Sequence, residues 1–379
     1  MIYMDNAATS WPKPEPVYAA VLSCMRKYGA NPGRSGHRMA VEAGNILLYT
    51  REMLCQLFSI ENPFRMIFTM NATESLNLAI KGCVRPGDHV VSTSMEHNSV
   101  ARPLKELEKW DVATTYVKAD SQGRIDPDDI RRAIRSNTRL IVTTHASNVT
   151  GTLVPLGEIG KIAREYGILY LVDAAQTAGI IPIDLSQLPV DMMAMPGHKG
   201  LLGPQGTGVL YIAPHVTLNQ LKEGGTGSQS ESLEQPDFLP DRYEAGTMNT
   251  PGIAGLGAGI NFILRNGQNR LLSRTSRIEK FFLEALLHIP GIKVYGPTKM
   301  EERIGVISIN IKDFDSTYIS NLLDKKYGIA VRGAIHCAPL AHKTIGTLKQ
   351  GTVRFSPGIF NTLDEVKICI KVLEQLTRL

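Results

Sequence analysis

The stretch "PGHKGLLGPQGTGVLY" (196–211) sets Lys199 among Gly197, Gly200, Gly203, Gly206 and Gly208. A lysine held away from water sheds its charge readily and is then a competent amine for a Schiff base. Glycines let a backbone approach a bulky group closely. Upstream, "ILYLVD" ends on Asp173, with Gln176 three residues on in "DAAQTAG". A carboxylate at the end of a dry strand needs a cationic partner. Asn71, Ala72 and Thr73 open "NATESLNLAIKG", whose first backbone N–H groups suit a phosphate. His97 in "MEHNSVARPL" and Asn148 in "ASNVTGT" add a flat ring and a carboxamide. Far downstream, "RGAIHCAPLAHKTIG" (332–346) carries Cys337 directly after His336 and five residues after Arg332. Free cysteine usually serves as inert packing, so a working thiol there needs support from the rest of the chain.

The elements that must carry these groups are short β-rich runs. They are "RMIFTM" (65–70), "HVVSTS" (89–94), "ATTYVK" (113–118), "RLIVTTH" (139–145), "ILYLVD" (168–173), "VDMMAM" (190–195) and "TGVLYIA" (207–213). Amphipathic helical patterns lie between several of them, such as "DPDDIRRAIRS" and "PLGEIGKIAREYG". The alternation predicts an α/β fold with a large, mostly parallel seven-stranded sheet covered on both faces. A polar, glycine-rich segment at 222–252 reads as a long functional loop. A long helical pattern follows from about 253 to 288, then further strands and helices, the last from about 363 to 379. This predicts a large α/β domain over 15–252 and a smaller α+β domain over 253–379 that carries the Cys337 loop. The N-terminal segment 1–14 is expected near the active site.

The chain has 379 residues, 43% hydrophobic and 20% charged, with net charge +5. That composition predicts a globular chain with a sizeable core. The charge is too weak to argue for nucleic acid. The five cysteines are Cys24, Cys55, Cys83, Cys337 and Cys369. They form no CxxC pair, which argues against a disulfide framework or a cysteine metal site. Cys24, Cys55 and Cys369 fall in helical patterns and are expected in the core. No run of about 18 apolar residues predicts a membrane span, and a cytoplasmic enzyme is the expectation.

In open α/β sheets ligands sit beyond the carboxyl ends of the strands. The groups above follow predicted strands in an order that one ligand uses: pyridoxal 5′-phosphate (PLP). Its phosphate suits the helix start at Ala72 and Thr73, its pyridine nitrogen an acid, its aldehyde a lysine. A nicotinamide cofactor fits worse, because no G-x-G-x-x-G follows an early strand.

Longer stretches add a resemblance. "YMDNAATSWPKP", "NATESLNLAI", "MEHNSV", "SNVTGT", "VDAAQTAG", "GHKGLLGPQGTGVLY", "EAGTMNTPGI", "IHCAPLAHKTIGT" and "TVRFSPGIFNT" resemble the class V aminotransferase-like PLP enzymes of fold type I. Within them, the chain is similar to the cysteine desulfurase and selenocysteine lyase family. The short "RGAIHCA" loop looks like the second group of cysteine desulfurases. The resemblance implies that Lys199 condenses with the cofactor aldehyde. It implies that Asp173 pairs with the ring nitrogen, Gln176 meets the ring hydroxyl, His97 stacks on the ring and Asn148 lies near ring hydroxyl and substrate. Thr73, His198 and the backbone at Ala72 would hold the phosphate. Thr247 would reach the phosphate of a neighbouring subunit in a homodimer. Arg354 would pair with the substrate carboxylate, and Cys337 would accept sulfur as a persulfide from L-cysteine, releasing L-alanine. Arg332 and His336, if close in space, would favour the Cys337 thiolate. A sulfur-accepting partner protein is also implied. Two departures stand out: Pro196 where relatives often have a phosphate-bonding Ser or Thr, and Gly-Ala-Ile at 333–335 where many have a further Gly or His. Selenocysteine lyase, an aminotransferase or epimerase of the same fold, and a catalytically silent sulfur carrier are the competing readings.

Overall fold

The computed structural model describes residues 1–33 and 36–378. The chain opens with β1 (Ile2–Tyr3), α1 (Glu15–Lys27) and α2 (Arg38–Phe58). Strands and helices then alternate: β2 (Met66–Thr69), α3 (Ala72–Cys83), β3 (His89–Thr93), α4 (Asn98–Leu107), β4 (Ala113–Val117) and α5 (Pro127–Ala133). β5 (Thr138–Thr144), α6 (Leu156–Glu165), β6 (Leu169–Asp173), β7 (Met192–Pro196) and β8 (Gly208–Ile212) complete this half. All seven predicted sheet strands form, in the order β2-β8-β7-β6-β5-β3-β4. β8 runs antiparallel to β2 and β7, and the remaining pairs are parallel. β3, β7 and β8 are buried at every residue, and β7 and β8 accordingly read as apolar runs.

The polar segment after β8 holds no strand or helix until α7 (Thr250–Asn266). The long helical pattern over about 253–288 forms two helices, α7 and α8 (Gln268–His288). Gly267 between them takes φ +77°, a left-handed conformation that ends a right-handed helix. Periodicity continues on both sides, so the pattern alone does not reveal the break. β9 (Ile292–Tyr295), β10 (Ile307–Ile311), α9 (Ser316–Tyr327), β11 (Ile329–Ala330), α10 (Pro339–Thr344), β12 (Val353–Phe355) and α11 (Leu363–Leu376) follow. Position 379, included in the predicted last helix, lies outside the described residues. β12, β10 and β9 form a separate antiparallel sheet.

Two large apolar cores result, with a small cluster of Ala7, Ala146, Ile304 and Val306 beside them. The first fills the seven-stranded sheet and takes in Ile253, Leu256, Ile260 and Ile263 of α7, which packs against α1 and α2. The second gathers Phe282 of α8, Ile307 and Ile309 of β10, Phe355 of β12 and Cys369 of α11. The apolar face of α7, which follows the expected boundary at 252, belongs to the first core.

The N-terminal segment joins the two. β1 pairs in parallel with β11, and Asp5 bridges Ser356 after β12. Thr9, Ser10 and Lys13 then donate hydrogen bonds to the His198 carbonyl, the Lys13 Nζ contact at 2.7 Å. The segment thus runs from the small sheet to the loop that carries Lys199.

Candidate active site

A pocket of about 790 Å³ lies at the carboxyl ends of the parallel strands. Its walls include Ala72, Thr73, His97, Asn148, Asp173, Gln176, His198, Lys199, Arg332 and Arg354. These ten residues, all singled out from sequence, therefore converge on one cavity.

Asp173 ends β6 and is buried, with Oδ1 accepting from Ala175 N at 2.9 Å. Burial raises its pKa, against the pull of the Ala175 N–H and Lys199. Lys199, in the loop after β7, is pushed down to about 8, chiefly by burial and then by Arg354, with Asp173 opposing. An acid driven toward its neutral form thus faces an amine driven toward its own. Glu96 lies behind them, accepting from Thr93 Oγ1 at 2.6 Å and Thr144 N at 3.0 Å. Burial pushes it up to about 8, so it is largely uncharged at neutral pH and spares Asp173 a second buried negative charge.

His97 caps α4. Its Nδ1 accepts from Ser99 N at 3.1 Å, which leaves the ring proton on Nε2 in the neutral form. Burial and the cations Lys199, Arg332, Arg354 and Arg102 push it down to about 4. Ser99 also meets Thr73 across the gap between the starts of α4 and α3, Oγ to Oγ1 at 2.8 Å. Asn71 caps α3 by accepting from Glu74 N, while Glu74 accepts from Met70 N. The helix start is thereby fixed at the pocket wall with positive dipole inward. His198 is pushed down to about 4 by burial, Lys199 and Lys13. Its Nδ1 is buried with no hydrogen-bond partner among the described residues.

Arg354 on β12 is fully buried and reaches across from the small sheet. Nη2 donates to Asp5 Oδ1 at 2.7 Å and Nη1 to the Asn148 carbonyl at 3.1 Å, while Nε has no partner among the described residues. Gln176 Nε2 donates to the Ala7 carbonyl at 3.1 Å, tying the N-terminal segment to the pocket.

Cys337 is exposed, whereas Cys24, Cys55, Cys83 and Cys369 are buried. It sits at the pocket's edge: its carbonyl accepts from Asn98 N at 2.8 Å, and Arg332 Nη2 donates to its Sγ at 3.4 Å. Arg332 therefore touches the sulfur and lines the pocket at once. His336 does not join it. The His336 ring is buried, bonded through Nε2 to Thr352 Oγ1 at 3.0 Å, and burial with neighbouring cations holds its pKa well below the usual histidine range. Adjacent positions in sequence face opposite ways here because the loop is left-handed at Ala334, His336 and Cys337, with φ of +74°, +48° and +57°. Such residues cost of order 1 kcal/mol each and persist where surroundings hold them. Asn148 Nδ2 to the His336 carbonyl, Thr352 N to the Ala334 carbonyl and Ala334 N to Ser316 Oγ do so here. A short loop without further glycine is thus pinned with its thiol outward.

Thr247 is not brought to this pocket. It is exposed and accepts from Asn31 Nδ2 at 3.3 Å. The glycines around Lys199 serve a different purpose from the one their number suggests. A Cβ on Gly200 would overlap the Ala178 carbonyl, one on Gly197 the Thr207 side chain, and one on Gly208 the Asn71 backbone. They bring chain against chain, seating the lysine loop on the Asp173–Gly179 turn and on the start of α3. Gly200→Ala is accordingly expected to lower stability by about 1–3 kcal/mol, read as a fall in the thermal midpoint.

Sequence reasoning did not single out Ser99, which lines the pocket, nor Glu96 and Asp5, which bond the lining residues Thr144 and Arg354. Ser99, at the second position of α4 after its His97 cap, carried a readable signal: a helix start at a strand end. Asp5 carried none, because its partner Arg354 lies at the far end of the chain. Among the described residues, no cluster of His, Cys, Asp and Glu is arranged to hold a metal ion, and no helix is long and apolar enough to cross a membrane.

The sequence profile of the aminotransferase class-V family matches residues 2–369. A probable cysteine desulfurase of Methanothermobacter thermautotrophicus is 36% identical, over 99% of this chain and 94% of its own length. One from Pyrococcus abyssi is 34% identical, over 100% and 94%. The apo structure of a cysteine desulfurase from Thermococcus onnurineus superposes with a TM-score of 0.94 at 34% identity, covering 100% of this chain and 94% of that one. Shared architecture, sequence along the full length and the lysine–aspartate pocket agree: the chain belongs to the aminotransferase class-V family, among its cysteine desulfurases.

Proposed function

We propose that the protein is a PLP-dependent cysteine desulfurase that converts L-cysteine to L-alanine and takes the sulfur onto Cys337. The observation that carries this reading is Arg332, which links the one exposed cysteine sulfur to the wall of the pocket that holds Lys199 and Asp173.

The pocket's own residues fit the cofactor. A buried carboxyl with raised pKa awaits a cation, a lysine amine is partly neutral, and a helix start and a buried, unpartnered His198 nitrogen face the same space. Lys199 would hold the aldehyde carbon, Asp173 the ring nitrogen, His97 the ring face, and Gln176 and Asn148 the ring hydroxyl. Thr73, His198 and the Ala72 backbone would hold the phosphate, with Ser99 fixing the Thr73 hydroxyl. Pro196 has no N–H to add. Bound PLP supplies an electron sink for negative charge developing at the substrate Cα.

Arg354 would orient the substrate by its carboxylate, a charge-assisted pair stronger than a neutral one. Because Asp5 already occupies Nη2, the incoming carboxylate would share the guanidinium with it. Lys199, released when substrate binds, would remove the Cα proton as general base. Cys337 Sγ would attack the substrate sulfur: the Cβ–S bond breaks, an S–S bond forms, and a proton ends on Cβ. One thiol and one cysteine thus give one persulfide and one alanine. Thr247, exposed and away from its own pocket, is free to serve the neighbouring subunit of a homodimer. A thiol-bearing acceptor protein would then clear the persulfide.

Alanine release measured side by side from L-cysteine and L-selenocysteine, with a dithiol reductant present, tests the reading. Release from L-cysteine is the expected result. Release from L-selenocysteine alone would make the protein a selenocysteine lyase, and release from neither would sink both.

A further inference from the structure

A second cavity lies behind the Lys199 loop, lined from helices of both large cores, α7 and α8. Its lining is mostly apolar, including Ile180, Leu202, Ile263 and Phe360. One acid is set into it: Glu279 of α8, 6% exposed. Glu279 makes no hydrogen bond or ion pair among the described residues. The nearby cation, Arg303, donates instead to the Pro297, Ile304 and Val306 carbonyls. Burial pushes Glu279 up to about 7, opposed by Arg303. The space for its carboxyl is kept by Gly305, where a Cβ would overlap the Glu279 carboxyl itself. Thr275 Oγ1, one turn earlier on α8, is a further acceptor on the same wall: its proton goes to the Leu271 and Leu272 carbonyls, and its lone pairs remain.

A buried carboxyl without a partner costs several kcal/mol when ionised, and a desolvated ammonium in contact would remove most of that cost. A neutral apolar guest leaves the carboxyl unpaired. We propose that this cavity is a binding site for a small amine with an apolar body, its ammonium on Glu279 and its carbon chain against the apolar wall. Ala7, Ala175, Gln176 and Lys199 border both cavities, so an occupant would press on the back of the catalytic pocket and span both cores.

The test is calorimetric titration of the PLP-loaded protein with N,N-dimethylhexylamine, a tertiary amine that cannot condense with an aldehyde, and with 1-hexanol as its neutral counterpart. Saturable binding of the amine at one site per chain is expected, at least tenfold tighter than hexanol. Glu279→Gln should weaken amine binding at least tenfold, and Leu272→Trp, which fills the cavity from its α8 wall, should abolish it. Both variants should keep the cofactor's visible absorbance. No saturable binding, equal affinity for hexanol, or unchanged affinity in either variant would overturn the proposal. Should Glu279→Gln fail to fold, the hexanol comparison and Leu272→Trp decide it. The readout is independent of alanine release, so it stands or falls apart from the proposed reaction.

Discussion

Lys199→Ala is expected to leave the protein without covalently held cofactor and to lower alanine formation from L-cysteine by about 10³-fold or more, the span over which a general base acts. The physical basis is the shift of its amine from 10.5 to about 8 by burial and by Arg354. At about pH 7.5 roughly a quarter of such amines are neutral, against about one in a thousand for an unperturbed lysine. The sign follows from the reactive form. The neutral amine is both nucleophile and base, so cofactor uptake by the stripped wild-type protein should rise with pH through about 8. Absorbance of the protein-bound cofactor reads both effects. An unchanged spectrum in Lys199→Ala would sink the assignment, and uptake that falls as pH rises toward 8 would contradict the electrostatic account.

The second large effect is at Cys337. Cys337→Ala should retain cofactor absorbance and thermal midpoint, because the residue is exposed and its loop is held by the backbone N–H groups of Asn98 and Thr352 and by the Asn148 side chain. Alanine formation from L-cysteine should nevertheless fall by about 10²-fold or more, at least about 2.7 kcal/mol of lost barrier lowering, since no other described thiol reaches the surface. Alkylation offers a control in the unmodified protein. One equivalent of iodoacetamide per chain should react quickly, at Cys337, and abolish turnover. Full activity with L-cysteine in the variant would remove Cys337 from the mechanism.

The strand pattern was legible because the central strands are buried on both faces and therefore mostly apolar, as in "LYLVD" and "MMAMP". The pocket floor was legible for a related reason: in a parallel sheet the functional side chains follow strand ends, and Asp173, Gln176, His97 and Lys199 all do. The helix break at Gly267 was less so, because apolar periodicity runs on through it and only the backbone angle marks the change. Proximity in sequence did not bring the His336 ring to the Cys337 thiol. Three left-handed residues turn its ring inward to Thr352 and leave the neighbouring thiol outward, and side chains rather than glycines hold them there.

What the sequence by itself determined is the seven-stranded sheet and which candidate groups follow its strand ends, Asp173 and Lys199 among them. The tertiary structure decided the pairings between distant parts of the chain. Asp5 meets Arg354, Asn148 holds the carbonyl of His336, Lys13 donates to the carbonyl of His198, and Gln176 bonds Ala7. Burial, which sets the protonation of Lys199, Glu96 and Glu279, was decided there too. These are properties of desolvation and of contacts between segments hundreds of residues apart, and periodicity along the chain carries no record of either.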